Sequence, residues 1–275
     1  MRRRLLLTVF ALLMALALGV VTEAQRRRGR GFRGYIRTPT PQSFDGRFNF
    51  CRIMTSVSNM GFGGGWSVDY PRADVNLSIR LSELTKTQIS MDTASEEPNH
   101  LVIRLTDPEL YQCPFVMMTE VGSAYFSPEE AERLRDYLLK GGFLWADDFW
   151  GSYAWDHWVS ELSKVLPPAE YPIQDLPLDH ALFRAQFNVT RVPQIPSINH
   201  WYGSGGGTSE QGMDSAEPHA RGIADAQKRL MVLITHNTDF GDSWEREGDD
   251  PNYFYTFSVD GYAFGINALL YAMSH

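Results

Sequence analysis

The sequence is poor in the residue types that define several common kinds of active site. Two cysteines in 275 residues exclude a disulfide-rich scaffold and a cysteine-rich zinc site. The Gly-x-Ser-x-Gly motif and the Gly-Lys-Ser/Thr motif of phosphate-binding loops are both absent. Neither cysteine occupies a strand-to-helix turn, because Cys51 falls within a predicted strand and Cys113 precedes Pro114. The sequence therefore shows none of these nucleophile motifs, and the two cysteines are either a disulfide or buried free thiols.

Positive charge is scarce beyond Arg37. Nine of the 25 basic residues lie at or before Arg37, so residues 38–275 carry 16 basic and 32 acidic residues, a net charge of -16. We expect no nucleic-acid partner, since a folded body with this charge repels phosphate backbones. The hydrophobic content of 43% is typical of a packed globular chain, and the mean hydropathy of -0.28 excludes a polytopic membrane protein.

The amino-terminal segment has the layout of a secretory signal peptide. Three arginines, Arg2–Arg4, precede an uncharged apolar run from Leu5 to Val21, and a small-x-small cleavage site follows. Residues 1–24 are therefore predicted to direct export, to the periplasm or outside the cell. The apolar run is about 17 residues, the lower limit for a membrane span, so an uncleaved anchor is the alternative. Residues 25–45 are rich in Arg, Gly and Pro and are predicted to be a linker, or else a tether to an anionic surface.

Beyond this linker, strand and helix patterns alternate. The unbroken apolar segments Phe115–Thr119 and Leu230–Thr235 predict strands buried on both faces. Ser127–Glu130 is a capping box that predicts a helix start, and a further helix is predicted over about Trp155–Leu166. We predict one three-layer α/β domain of the flavodoxin-like kind over residues 46–275, with a mostly parallel sheet.

The residues that follow the predicted strands are rich in carboxylates and aromatic rings. Ligands of open parallel sheets bind at the carboxyl ends of the strands, so we expect one acid-lined pocket at that edge. The candidate ligand-binding residues are Gly63, Gly64, Trp66, Asp69, Trp150, His180, His236, Asp239, Asp242 and Glu245, and the candidate catalytic residues are Asp147, Asp148 and Glu120.

Each candidate also has a structural interpretation. The segment Gly61–Gly65 could cradle a phosphate group through its N–H groups, or be a surface loop without a ligand. Asp147 and Asp148 could hold a cation or act as a general base, or one of them could cap the following helix. His180 and His236 could join the acids as metal ligands, or be hydrogen-bonded structural residues. A divalent cation would suit this set, although the sequence alone assigns no metal.

Five motifs in combination resemble the bacterial family known as domain of unknown function 4159. They are Gly63–Pro71, Leu105–Leu110, Gly141–Gly151, Leu176–His180 and His236–Glu245. The resemblance covers about residues 46–275 and implies a fold like that of class I glutamine amidotransferases. It supplies no catalytic residues, because the family has no settled activity. Amidotransferases carry a cysteine at the strand-to-helix turn, whereas the corresponding stretch Trp145–Phe149 has no thiol, which argues against glutamine hydrolysis.

Three functional hypotheses follow. The first is an exported cell-envelope domain that binds a ligand, with carbohydrate as the preferred class, or that acts as a scaffold. The second is a carboxylate- or metal-dependent hydrolase of glycans at the carboxyl edge of the sheet. The third is a structural interaction partner whose basic segment associates with an anionic surface such as the membrane. The expected partners are accordingly carbohydrate or other envelope components.

Overall fold

The computed structural model of the protein describes residues 36–57 and 65–275. The predicted signal peptide, most of the predicted linker, and Gly63 and Gly64 lie outside the described residues. Within the described part of the chain, no helix combines the length and apolarity that crossing a membrane requires.

Within residues 36–57 and 65–275, nine strands form one large sheet and one small one. In chain order they are β1 (Phe50–Ile53), β2 (Ser56–Val57), β3 (His100–Ile103), β4 (Phe115–Thr119), β5 (Ala124–Tyr125), β6 (Phe143–Asp147), β7 (Gln174–Asp175), β8 (His219–Ala224) and β9 (Leu230–His236). Strands β2 and β5 pair with each other in antiparallel fashion, and the other seven form the central sheet in the order β3-β1-β4-β6-β9-β8-β7.

The central sheet has the strand order expected for this fold class. Strands β3, β1, β4, β6 and β9 are parallel, and β8 and β7 add an antiparallel edge. Numbered among themselves, the parallel strands have the flavodoxin-like order 2-1-3-4-5. The prediction of a three-layer, mostly parallel α/β domain is thus confirmed. The order reverses between β1 and β4, which is where such folds open a crevice at the carboxyl edge.

In the part of the chain that the structure describes, seven α-helices accompany the sheet. They are α1 (Arg72–Thr85), α2 (Pro128–Leu139), α3 (Gly151–Val165), α4 (Ile198–Gly203), α5 (Phe240–Glu245), α6 (Pro251–Tyr253) and α7 (Val259–Ser274), with a π-helical turn (Phe254–Ser258) between the last two. Helix α2 begins as predicted, because the hydroxyl of Ser127 accepts from the N–H of Glu130 and the carboxylate of Glu130 accepts from the N–H of Ser127.

Helix α3 begins at Gly151, earlier than the sequence predicts. Gly151 has a φ of 79° and its N–H donates to the side-chain oxygen of Asn237, while the N–H of Ser152 donates to Asp214. These capping groups come from distant parts of the chain, so the sequence around residue 151 carries no local signal of the helix start.

The two faces of the sheet build separate apolar cores. Because successive strand side chains point to opposite faces, Ile53 packs on one side and Phe50 on the other. The first core lies under α2 and α3 and includes Trp158, and the second lies under α1, α5 and α7 and includes Trp145. Both tryptophans are fully buried, so neither can stack on a ligand.

A disulfide joins Cys51 in β1 to Cys113, just before β4. The Cα atoms are 6.3 Å apart and the two residues are separated by 62 positions. The alternative of two free thiols is therefore wrong for this structure. The bond ties together the two strands between which the strand order reverses.

Arg37 is joined to the domain although the sequence places it in the linker. Its carbonyl accepts from the N–H of Val102 in β3, and its guanidinium pairs with Asp92 and donates to Asn99 at 3.1 Å. Contacts with the sheet therefore begin before residue 46.

Candidate functional site

Several chain segments turn through left-handed backbone at the carboxyl edge of the sheet. The residue Glu120 after β4, the residue Asp148 after β6 and the residue Asn237 after β9 have φ values of 49°, 56° and 61°. Asp69, on the segment between β1 and α1, has a φ of 63°. Residues other than glycine adopt this conformation rarely. Those that do are concentrated at functional sites, where the surrounding structure constrains the backbone.

Three aspartates meet at this edge. Asp69, Asp148 and Asp239 each place one carboxylate oxygen so that the three atoms lie within 4.8 Å of one another. Their exposed fractions are 6%, 7% and 3%. All three are candidates from the sequence, although they come from three separate chain segments. We call them the aspartate triad.

Asp69 also belongs to a second group of carboxylates. One oxygen each from Asp69, Asp242 and Glu245 satisfies the same 4.8 Å limit. Asp242 and Glu245 lie on α5, and the N–H of Asp242 donates to Oδ1 of Asp239 at 2.8 Å. The first turn of α5 therefore connects the two groups, and Asp69 is common to both.

One carboxylate oxygen of this cluster is buried without a partner. Oδ2 of Asp69 has no solvent exposure and accepts no hydrogen bond. Burying an unpaired charged oxygen costs several kcal/mol, which a bound cation would remove. Among the carboxylate oxygens of the cluster, Oδ2 of Asp69 would therefore be stabilised most by contact with a positively charged ligand.

The electrostatics of the aspartate triad are those of mutually repelling acids. Burial raises the pKa of Asp69, Asp148 and Asp239 well above the ordinary carboxyl range. Neighbouring carboxylates raise the three pKa values further, with Glu120 acting on Asp148 and Asp242 on Asp69. At neutral pH such a group holds either protons or a metal ion.

Asp147 has a different structural role from Asp148. Its carboxylate accepts from the hydroxyl of Thr235 and from the N–H groups of Phe240 and Gly241, at 2.8 and 3.3 Å. Burial raises the pKa of Asp147 to about 7. Asp147 thus caps α5 rather than the helix that follows it in sequence, and it fixes α5 against β6.

Asp148 is held by its neighbour in sequence. The indole N–H of Trp150 donates to Oδ1 of Asp148 at 3.1 Å, which places the candidate Trp150 beside the triad. Two other candidates border the same edge. The carboxylate of Glu120 accepts from the N–H of Gly65, and the carbonyl of Trp66 accepts from the hydroxyl of Thr119 at the end of β4.

Arg52, which was not predicted from the sequence as a functional residue, joins several segments where the strand order reverses. Arg52 is fully buried in β1 and forms an ion pair with Asp74 of α1, with Nε 3.1 and 3.0 Å from the two carboxylate oxygens. It also donates to the hydroxyl of Thr119 and to the carbonyl of Val68, just before Asp69. An arginine within an apolar strand was the available signal, since a buried charge requires a partner.

The second carboxylate group is partly neutralised by Arg246. Nε of Arg246 lies 2.8 Å from Glu245 and 3.5 Å from Oδ1 of Asp242. Oδ2 of Asp242 accepts from the N–H of Ile198 and from the hydroxyl of Tyr253. Burial raises the pKa of both Asp242 and Glu245, and Arg246 opposes that shift.

The structure does not bring the two histidines to the acids. His236 lies on the face of β9 opposite Thr235, with its ring 4.8 Å from Phe149 and 5.1 Å from Trp155. Burial lowers the pKa of His236 to about 4, so the ring is neutral at physiological pH.

His180 lies at the opposite end of the sheet. Its ring is 5.5 Å from Tyr271, whose hydroxyl accepts from the N–H of Leu230 at the start of β9. The hypothesis that these histidines join the acids as metal ligands is therefore wrong for this structure.

The donor atoms of the cluster suit a hard divalent cation. Mg²⁺, Ca²⁺ and Mn²⁺ prefer oxygen ligands at about 2.0–2.6 Å, so ligand atoms on opposite sides of one ion lie about 4–5 Å apart. The three oxygens of the aspartate triad lie within 4.8 Å of one another, so one such ion can reach all of them.

Fold and site together define a three-layer α/β protein with a buried carboxylate cluster at the carboxyl edge of its sheet. The chain belongs to the family described as Domain of unknown function (DUF4159), whose profile matches residues 49–273. This range contains both carboxylate groups and both cysteines. No curated protein matches the chain.

Proposed function

We propose that the protein binds a hard divalent cation at the aspartate triad and uses it to hold an oxygen-rich ligand. The observation that carries the proposal is the convergence of three buried carboxylates within 4.8 Å, one of them with an unpaired oxygen. Three carboxylates fill about half of the six to eight positions of such an ion. The remaining positions are available to hydroxyl or carboxylate oxygens of a ligand.

Carbohydrate remains the ligand class that we propose, because its hydroxyl and uronate oxygens can complete the coordination of the ion. The exposed part of Glu120 and the indole of Trp150 lie beside the triad, where such a ligand would approach. The tight burial of the acids argues against a role as the paired acid and base of a glycosidase.

We further propose that the protein acts in the cell envelope. The signal-peptide pattern at residues 1–24 supports export. The Cys51–Cys113 disulfide also supports it, because disulfides persist in oxidising compartments. Fractionation of cells that express the tagged full chain tests the location, and a cytoplasmic protein with reduced cysteines would contradict it.

Calorimetric titration of the chelator-treated protein with Ca²⁺, Mg²⁺ and Mn²⁺ tests the cation site. We expect binding by the wild type and a loss of at least about tenfold in affinity for Asp239→Asn, which removes one charged ligand. Asp156→Asn, at an exposed position on α3, is the matched control and should bind like the wild type. A glycan array probed with cation and with chelator then tests the ligand. The absence of calorimetric binding at millimolar cation, or equal cation affinities of Asp239→Asn and Asp156→Asn, would refute the proposal.

A further inference from the structure

We infer that a second divalent cation binds to Asp69, Asp242 and Glu245, so that Asp69 bridges two ions in one dinuclear centre. This inference rests on the proposed cation site and extends it. It adds a second metal site whose ligands are all oxygen atoms, and which therefore takes the same class of hard cation.

The geometry requires no rearrangement of the chain segments. Each of the two groups satisfies the 4.8 Å limit, and Asp69 is a member of both. Asp239, Asp242 and Glu245 follow one another just before and on α5, where Asp239 accepts from the N–H of Asp242, whereas Asp148 follows β6. Two ions that share a carboxylate lie about 3.5–4 Å apart in proteins that use such pairs.

The state of Asp69 is an independent sign of a ligand. Its side chain is only 6% exposed, and Oδ2 is buried without a hydrogen-bond partner. The atom lies against Gly241, at which an added Cβ would stand 2.2 Å from Oδ2 of Asp69 and 3.4 Å from Oδ1 of Asp239. Oδ2 therefore faces the first turn of α5, between the members of the two groups.

Charge balance favours two ions over one. The carboxylates of Asp69, Asp148, Asp239, Asp242 and Glu245 carry five negative charges when ionised, and Arg246 supplies one positive charge beside Asp242 and Glu245. Two divalent cations would neutralise the remaining four charges, whereas with a single ion two of these carboxylates would have to hold protons or stay uncompensated in a buried site. Buried charges without compensation are strongly unfavourable.

Arg246 makes the two sites unequal. Its guanidinium lies close to both Asp242 and Glu245, so its positive charge repels the second ion. The aspartate triad has no arginine in such contact among the described ion pairs. The first ion therefore fills the triad, and the second binds more weakly.

Titration of the chelator-treated full chain with Mn²⁺ tests the inference. Bound Mn²⁺ is counted by equilibrium dialysis, and electron paramagnetic resonance reports whether two ions are magnetically coupled. The wild type should bind two ions in two steps, with a coupled spectrum only after the second. Glu245→Gln should bind one ion with an uncoupled spectrum, and Glu132→Gln, at an exposed position on α2, should behave like the wild type.

The variant Arg246→Gln distinguishes loss of a metal ligand from misfolding. Removing the competing positive charge should tighten the second Mn²⁺ by about tenfold, a gain that unfolding cannot produce. One ion per wild-type chain, with Glu245→Gln unchanged, would overturn the dinuclear centre and leave the single-ion site standing. Two ions with an uncoupled spectrum would overturn the bridging role of Asp69. Binding of no ion at all would overturn the proposed function as well.

Discussion

Oδ2 of Asp69 packs against the backbone of Gly241, although the two residues come from opposite ends of the domain sequence. Only a residue without a Cβ leaves room for this contact, because an added Cβ would stand 2.2 Å from the carboxylate oxygen. Backbone packing at one glycine thus decides where a central acid of the site lies.

Gly241→Ala should displace Asp69 and weaken cation binding by at least about tenfold, since the triad then loses one well-placed ligand. The measurement is a calorimetric titration with Ca²⁺. Gly248→Ala is the control, because an added Cβ at Gly248 meets no atom within 4 Å. Equal affinities of the two variants would contradict the dependence of cation binding on this contact.

Cation affinity should rise with pH. The raised pKa values of Asp69, Asp148 and Asp239 mean that the cation-free cluster holds protons, which a metal ion must displace. Titrations at pH 5.5 and pH 8 should show tighter binding at the higher pH. Titrations in two buffers of different ionisation enthalpy should reveal proton release. A pH-independent affinity without proton release would contradict this prediction.

The cation-free protein should lose stability as pH rises through neutrality. The pKa of Asp147 in the folded state, about 7, lies above its unfolded value near 3.9, so the folded state binds more protons in between. The stabilisation is therefore complete below about pH 4 and is lost as pH rises toward 7 and beyond, by at most about 4 kcal/mol for this group.

Urea unfolding in chelator at pH 5, 6, 7 and 8 measures this loss. Asp147→Asn should make the pH profile less steep, because the amide does not ionise, and the aspartate triad accounts for the slope that remains. A free energy of unfolding that increases across this interval would contradict the assignment of the raised pKa.

Arg52→Leu should destabilise the protein by about 3–5 kcal/mol, because it leaves the carboxylate of Asp74 buried without its partner. Denaturant unfolding measures the loss. Arg191→Leu is the comparison, since Arg191 pairs with Asp260 on the surface and should contribute less than about 1 kcal/mol. The double variant Arg52→Leu/Asp74→Leu should recover part of the stability, and additive losses would argue against a coupled pair.

Removal of the disulfide by Cys51→Ala/Cys113→Ala should lower the free energy of unfolding by about 2–5 kcal/mol, because the unfolded chain gains the freedom of the closed loop. Thermal unfolding with and without reductant provides the measurement. The wild type should show two thiols only after reduction, whereas two thiols in the untreated exported protein would contradict the pairing.

Much of this protein follows from its sequence. Alternating strand and helix patterns, with the apolar segments Phe115–Thr119 and Leu230–Thr235, predict a parallel sheet because only strands covered on both faces are apolar throughout. Parallel strands share one carboxyl edge, so the acids after them are expected near one another. That reasoning names Asp69, Asp148 and Asp239 before any coordinates are considered.

Only the tertiary structure decided which of these residues meet. His236 immediately follows Thr235, yet it points to the opposite face, because side chains alternate along a strand. Asp74 became the partner of Arg52 through the packing of α1 on the sheet. The sharing of Asp69 between two carboxylate groups depends on a backbone contact with Gly241, which no local pattern encodes because it joins segments far apart in sequence.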